Sequence, residues 1–574
     1  MSPYYASLNN VTTIGIRAFN GCAMSSFTVS SNVTSIGYEA FLGLPNLTAL
    51  TVDTNNSYYS SVAGVLFDKY QTTLIQCPMP KAGSYIIPNS VTSILDMAFT
   101  SCFNLTNITI PTNVTYIGGW VFDDCTNLTS IVIPNGVPSI GTNDFLYCYN
   151  LSSIVIPNSV TNIAHGAFWS CYKLTNVAIP DSVVGIEDYA FYNCTGLTNI
   201  SLGNSVNMIG VWAFASCTKL SSVTIPDSVN AIGDSVFQSC SSLKNVIVGF
   251  GVTNISNLAF SGCAALANLT LNMTNIGSYF SGMGSLRNVT IGNHAQSIVA
   301  SAFASCPILA SVTINNGVTS IGNLAFNNCN DLSSITIPDS VTNLGNYAFR
   351  NCIGMSKAII GNGVASIGYG AFYDCTGLTN ITIPSSVASI GSSAFYACTR
   401  LPRVIMPNSV TSIESNAFQY CYSLKSIIIP SSVTNIGASA FAYCSNLSSI
   451  YFTGNSPSSN SAVFANDNNP IGYYLPGTAG WGSTFDSIPM VLWNPQAQTG
   501  DGGFGVQSNQ FGFNITGSSN LVIVVEAATN LTNPVWLPVS TNTLNTFLGT
   551  NGTSYFSDPQ WTNYPGRFYR LRSP

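Results

Sequence analysis

Residues 179 to 200 read IPDSVVGIEDYAFYNCTGLTNI, and residues 429 to 450 read IPSSVTNIGASAFAYCSNLSSI, the same pattern with different polar residues. Its generic form is L-x-x-I-x-I-P-x-S-V-x-x-I-G-x-x-A-F-x-x-C-x-x. The cysteine returns every 23 residues from Cys102 to Cys263 and again from Cys306 to Cys444. The phenylalanine keeps the same step from Phe99 to Phe260 and from Phe303 to Phe441. One unit is short: Phe280 follows Phe260 by 20 residues, and Met283 takes the place of cysteine. Phe19 and Phe41 mark two earlier units, with Leu44 in the cysteine position, and Phe464 marks a degenerate last one. A fixed period in this range is the signature of a solenoid, in which each repeat contacts only its neighbours.

Each unit has three physical parts. Val177 and Ile179 stand two apart and share one face of a short strand, which Pro180 ends because it has no N–H to donate. Val183 and Ile186 form a second short extended segment, and glycine after the isoleucine (Gly118, Gly141, Gly210, Gly233, Gly322) permits a sharp change of direction. The Ala-Phe-x-x-Cys stretch fits one or two helical turns, with Ala and Cys on the inward side. The expected fold class is therefore an α/β repeat solenoid of parallel strands and short helical turns. About eight inward apolar residues per unit are worth roughly 12 to 24 kcal/mol when buried. Ordering the backbone of one unit costs at least as much. Stability must then come from stacking one unit on the next.

The pattern resembles the leucine-rich repeats of the BspA-like bacterial surface proteins, over roughly residues 9 to 493. The insert VDTNNSYYSSVAGVLFDKYQTTLIQCP (52–78) resembles a variant unit of that family, as does the ending YFTGNSPSSNSAVFANDNNPIGYYLPGTAGWGSTF (451–485). The expected organisation is a solenoid over 1–493, with an irregular insert at 52–87 and a degenerate terminal unit at 451–493. A polar, glycine-rich linker follows at 494–505, then a small β-sandwich-like module at 506–574. Alternating runs place its strands at Gln510–Thr516, Leu521–Ala527, Val535–Ser540, Ser554–Ser557 and Phe568–Leu571, with turns at Gly517–Ser519, Asn530–Pro534 and Gly549–Gly552. Its text, closing on R-F-Y-R-L, looks like a terminal module of secreted proteins from some environmental bacteria.

Composition excludes several function classes. Only 6% of residues are charged, the net charge is -6, and no basic run occurs before Arg567, Arg570 and Arg572, so no nucleic-acid stripe exists. No stretch of apolar residues is long enough for a membrane span. The 17 cysteines recur at equivalent stacked positions, where parallel Cβ directions aim sulfurs poorly at one another, so the expectation is a buried column of free thiols. Cys77, off the column, is the expected exception. Zinc needs grouped ligands, and these cysteines come singly without histidine. Neither a charged nor an apolar leader opens the chain. Because the chain enters the repeat in mid-unit, upstream sequence is expected to precede it.

Catalysis needs titratable groups brought together. His165 and His294 fall in different units and different columns, the adjacent acids Asp123-Asp124 and Glu187-Asp188 occupy variable positions, and no nucleophile, zinc or phosphate-loop motif occurs. An enzyme is the least supported class, and no cofactor is expected. The outward positions carry more. The main strand presents small polar residues such as Thr106, Asn107 and Thr109, expected to stack as hydroxyl and amide ladders. The presumed helical segment presents aromatics, of which Trp120, Trp169, Trp212, Tyr369, Tyr373, Tyr396 and Tyr420 are the candidate ligand contacts. Ring faces and polar edges suit protein or sugar, while the alternative is that the rings only cover seams between turns. The resemblance implies an extracellular or cell-surface binding and adhesion scaffold for a protein or glycan, recognised over several repeats. A structural spacer or surface-layer component is the alternative. Ice or crystal-surface binding ranks lower, because the central strand position runs Thr109, Val132, Val155, Ala178, Ser201, Thr224, Ile247 without uniformity.

Overall fold

A computed structural model describes residues 10–518, 521–532, 534–544, 551–564 and 566–572. The chain divides into two compact units, Met1–Phe349 and Arg350–Pro574.

In the first unit every regular turn contributes to two parallel ladders. The longer strand of one turn pairs with its successor in register, as Asn176–Ala178 does with Asn199–Ser201. The short strand after the proline does the same: Ile163, Ile186, Ile209, Ile232 and Ile255 form one continuous row. The isoleucine row is buried, as are Val177 and Ile200 at the centres of the longer strands. The Ser-Val step of the motif also acquires a reason. Ser182 Oγ donates to the Val160 carbonyl at 2.7 Å, and Ser228 to Val206 at 2.6 Å, so each serine ties its turn to the valine of the turn before.

The expected helical turns are absent. Among the described residues there is no α-helix, only the 3₁₀ turns Ser278–Phe280 and Trp561–Asn563. The Ala-Phe-x-x-Cys stretch is instead an arc of overlapping β-turns. The residue before Ala and the residue before Cys are both left-handed, as at Tyr189 (φ 57°) and Asn193 (φ 60°). This makes alternate N–H groups point along the solenoid axis. Tyr189, Phe191 and Asn193 donate to the carbonyls of Val211, Ala213 and Ala215 in the next turn at 3.0, 2.7 and 2.8 Å. The intervening N–H groups of Ala190, Tyr192 and Cys194 close turns onto Glu187, Tyr189 and Phe191. A helix fails here for a geometric reason. It is about 10 Å wide with its side chains, whereas turns pair at strand spacing, about 4.8 Å. Left-handed residues cost about 1–2 kcal/mol each. Three inter-turn hydrogen bonds at about 0.5–1.5 kcal/mol each offset that cost and leave no orphaned donor.

The side chains of the arc follow the same pitch. From Phe99 to Phe260 the phenylalanine rings stack with centroids 4.9–5.6 Å apart and planes within 22° of parallel. The cysteines are free and, from Cys77 to Cys444, buried. Each thiol from Cys125 to Cys263 donates to the carbonyl of the phenylalanine one turn back, at 3.0–3.3 Å. That second bond to a carbonyl already used by a β-turn explains cysteine where alanine would also fit. Burial pushes Cys263 up to about 12 and Cys306 to about 11. Cys77 is not the exposed exception. It is buried, and its N–H fills the role of an arc donor toward Ala98 at 2.7 Å. The exposed thiol is Cys22.

The insert folds as a hairpin. Tyr59–Val62 and Val65–Asp68 run antiparallel about Ala63-Gly64, both with positive φ as a tight hairpin requires. Thr73–Gln76 then returns to parallel pairing with Ser93–Ile94. Val65, Leu66 and Phe67 are fully buried.

The second unit repeats the same arcs, with Phe372, Phe395, Phe418, Phe441 and Phe464 stacked at 5.1–5.7 Å. Its main strands, Ser426–Ile429, Ser449–Phe452, Ile471–Tyr474 and Ile488–Leu492, continue in parallel. Residues 401–407 form no strand; Pro402 stands where other turns carry a donor, as Lys425 N–H donates to the Pro402 carbonyl. Residues 494–505, expected as a linker, contain the strand Gln496–Gln498, paired antiparallel with Asn514–Thr516. The later strands are Gln510–Ser518, Val522–Ala528, Leu537–Thr543, Asn551–Asp558 and Phe568–Arg572, arranged in two antiparallel sheets. The expected turns at Gly517–Ser519, Asn530–Pro534 and Gly549–Gly552 lie partly outside the described residues, as do residues 1–9. Phe513, Ile515, Ile523, Val525 and Phe556 share one core with Tyr451 and Tyr473 of the solenoid strands. The three terminal arginines are spent internally: Arg567 pairs with Asp558, and Arg570 and Arg572 both with the buried Glu526.

Two measurements check this account. Phe237→Ala should cost about 3–5 kcal/mol in urea unfolding, because it empties a fully buried ring position between two stacked rings. Native thiol titration should find Cys22 reacting fast and the other thiols only after denaturation.

Candidate binding surface

The arc places aromatics in three outward columns. Trp120, Tyr189 and Trp212 precede the alanine position of the motif, which is Val121 in the turn of Trp120, and are left-handed, at φ 59°, 57° and 59°. Trp169, Tyr192, Tyr373 and Tyr396 follow Phe. Tyr420 and Tyr443 precede Cys, at φ 63° and 61°. Positive φ is uncommon for bulky residues. It is held here because the backbone N–H of each of these residues is bonded to the next turn.

In the first unit four rings gather over three consecutive turns. Trp169 stacks on Tyr189 at 5.2 Å and 14°, and Tyr189 on Trp212 at 6.3 Å and 4°. Tyr192 stands edge-on beside all three, at 5.2, 5.6 and 5.9 Å. His165, read from sequence as an ordinary surface residue, joins at 5.5 Å from Tyr189. Its backbone N–H donates to Glu187 Oε2 at 2.9 Å, and Asn162 Nδ2 donates to Oε1 at 2.7 Å, which fixes the loop beneath the rings. Trp120 is not part of this group. It lies four turns before Trp212 in the same column, and no other ring contacts it among the described residues.

In the second unit Tyr373 stacks on Tyr396 at 4.4 Å and 5°, Tyr396 meets Tyr420 at 5.2 Å and 77°, and Tyr420 stacks on Tyr443 at 4.7 Å and 23°. Tyr422 adds an edge contact to Tyr420 at 6.0 Å, and the Arg350 guanidinium lies 5.5 Å above Tyr373. Tyr369 is 45% exposed, next to the left-handed Gly370. In both groups the stacked rings turn their faces toward one another, so those rings offer edges, hydroxyls and indole N–H to solvent. The 23-residue register could have shown which rings align; only coordinates show that they stack.

The hydroxyl ladders are largely spent on the fold. Thr129 Oγ1 donates to the Thr106 carbonyl at 3.1 Å, Thr198 to Thr175 at 3.0 Å, and Ser221 to Thr198 at 3.3 Å. Outside them lies an apolar row on the strand face, with Ile86, Val132 and Val155 each more than 60% exposed. In the second unit the corresponding Ile405 and Ile428 are 66% and 52% exposed, but Tyr451, under the later β-strands, only 9%.

Asp144 occupies the alanine position of its arc and is 2% exposed. It accepts N–H bonds from Gly141 at 2.6 Å and Val121 at 3.3 Å, yet burial pushes its carboxyl up to about 8. Burial and the neighbouring Asp124 push Asp123 to about 7, and burial pushes Asp467 to about 8. Among the described residues no three His, Cys, Asp or Glu side chains converge as a metal site. Among the described residues no helix is long and apolar enough to cross a membrane.

Parallel turns of about 23 residues with this motif define a repeat scaffold of the leucine-rich class. The BspA-type leucine-rich repeat model matches residues 5–68, 76–184, 161–280, 274–401 and 365–471, and the chain belongs to that family, a family of repeat scaffolds rather than of enzymes. Similar solved structures include a leucine-rich repeat protein from Bacteroides ovatus, 29% identical, covering 69% of this chain and 92% of that one at a TM-score of 0.35. A leucine-rich cell surface protein from Faecalibacterium prausnitzii is 26% identical over 69% and 94%, at 0.31. A leucine-rich repeat protein from Eubacterium ventriosum is 22% identical over 67% and 92%, at 0.30. No curated protein matches the chain.

The raised acids predict a pH effect. An acid whose folded pKa lies above its unfolded value favours the neutral form in the fold, so stability is highest below the unfolded value, near pH 4, and falls as pH rises toward about 8. Asp144→Asn removes the charge and keeps one acceptor, for the shorter Gly141 bond, while its amide nitrogen replaces the oxygen that accepts the longer Val121 bond. Its melting temperature should therefore exceed that of the parent at pH 8 and approach it at pH 4.

Proposed function

We propose that this chain is a non-catalytic, extracellular or cell-surface binding and adhesion scaffold that recognises a protein or glycan across several turns. The observation that carries this reading is the pair of aromatic strips, one over the turns of Phe168, Phe191 and Phe214 and one over those of Phe372, Phe395, Phe418 and Phe441. Tyrosine and tryptophan dominate binding hot spots, and rings locked by stacking lose little side-chain freedom when a ligand arrives. Because stacked faces are engaged, the contacts are ring edges and hydroxyls, which suits a polar protein surface or sugar hydroxyls better than flat stacking. The surface location is what the family resemblance implies. The repeat solenoid is assigned to residues 1–493, and residues 506–574 to a β module that covers the last strand faces, as the shared core around Tyr451 and Tyr473 supports. The spacer reading draws on the hydroxyl-to-carbonyl ladders, which spend outward groups on holding neighbouring turns together.

A glycan array and a panel of immobilised extracellular proteins test the reading. For a ligand so found, Trp169→Ala and Trp212→Ala should each weaken binding about fivefold, and the pair by more than tenfold, as for interface anchors. Trp120→Ala should change it less than twofold. A double variant that binds like the parent would remove the first strip from consideration, and no ligand in either screen would favour the spacer.

A further inference from the structure

Two places in the first unit interrupt the arc ladder, and each opens a cavity. At the short turn, no backbone bond joins the arc of Phe260 to that of Phe280: among the described residues the Phe260 and Gly262 N–H groups have no acceptor, and Leu258 N–H turns to Ser256 Oγ at 3.3 Å. The short strands Asn254–Ile255 and Asn275–Ile276 do not pair, and the two phenylalanine rings are 6.1 Å apart and tilted by 32°. A cavity of about 530 Å³ lies there, lined by small uncharged residues such as Ser261, Gly262, Gly282 and Ser285.

The other interruption is the hairpin insert, and its chemistry is richer. The N–H groups of Glu39, Phe41 and Gly43, which in a regular turn would meet the next arc, have no acceptor among the described residues. The chain has been carried away into the hairpin, and only Cys77 N–H reaches the following arc. The groove left behind has a volume of about 320 Å³ and is lined by Tyr38, Leu95, Asp96, Met97 and Tyr116. Tyr38 and Tyr116 are 51% and 50% exposed, and Tyr38 Oη lies 3.7 Å from Met97 Sδ across the groove. Two carboxylates line it. Glu39 is paired with Arg17. Asp96 Oδ1 accepts the Gly119 N–H at 3.0 Å, and among the described residues no cationic side chain pairs with it. Burial, then Glu39 and Asp96, raise the Tyr38 hydroxyl, and burial, then Asp96, raises that of Tyr116.

We propose that this groove docks an extended basic peptide segment of a partner protein. The peptide takes the place of the missing arc. Its carbonyls accept the idle N–H groups of Glu39, Phe41 and Gly43, as an added strand satisfies an open edge. One Lys or Arg side chain enters between Tyr38 and Tyr116, where two ring systems and one uncompensated carboxylate favour a cation. The notch at the short turn has idle donors but no carboxylate, so it serves as an internal control.

The test uses a fluorescein-labelled alternating valine–arginine pentapeptide and the matching valine–glutamate peptide, read by anisotropy with the full chain at low ionic strength. The arginine peptide should bind and the glutamate peptide should not. Asp96→Asn, which retains an acceptor for Gly119, should weaken binding about tenfold, and Tyr116→Leu should weaken it as well. Hydrogen–deuterium exchange should slow in the segment 38–44 on addition of the arginine peptide and stay unchanged in 257–263. Absence of binding, equal binding by Asp96→Asn, or protection at 257–263 in place of 38–44 would each overturn the proposal.

Discussion

The hydrogen bond from an arc N–H to the carbonyl 22 residues onward is the contact on which the rest of the structure depends. It requires two left-handed residues per turn and a spacing of about 4.8 Å between turns. Once the pitch is set, only flat or small groups fit the inward columns. Phenylalanine rings stack face to face at that pitch, with centroids 4.9–5.6 Å apart from Phe99 to Phe260. Cysteine is small enough to fit and supplies a weak donor for a carbonyl that a larger apolar residue would leave half-satisfied. The outward aromatics are held by the same contact, because Trp120, Tyr189, Trp212, Tyr420 and Tyr443 sit on its donor residues.

The regularity that stabilises the stack also removes most places where a ligand could dock by backbone. A regular turn spends most of its arc donors on the next turn. Among the described residues idle groups gather where the period fails, at the insert and at the short unit, and those two failures coincide with cavities of about 320 and 530 Å³. In this architecture the irregular units, rather than the well-formed ones, carry shape and polarity of their own. The well-formed units instead offer repetition, which aligned rings turn into a strip.

The later β-strands show what the strand face can do. Ile405 and Ile428 stand largely exposed, yet the next residue of that row, Tyr451, is covered by a core that includes Phe513 and Phe556. Covering the row there buries aromatic surface on both sides. Glu526 within this assembly is neutralised by Arg570 and Arg572, so the closing arginines of the chain serve its own packing.

Much of this was legible in the sequence. The spacing of Phe and Cys set the solenoid, its period and its inward columns, because a strict repeat leaves only one way for equivalent residues to meet. The alternating runs after residue 509 located the later strands to within a few residues. Three things were decided only by tertiary structure. A-F-x-x-C is compatible with a helix in isolation, and what excludes the helix is the neighbouring turn, too close to admit its width. Cys77 read as an outlier because the insert breaks the count, yet the hairpin returns it to the core. Trp120 and Trp169 looked equivalent as exposed aromatics, but stacking depends on which rings occupy adjacent turns, so Trp169 gained partners in Tyr189 and Tyr192 and Trp120, facing Asn143 in the next turn of its column, did not.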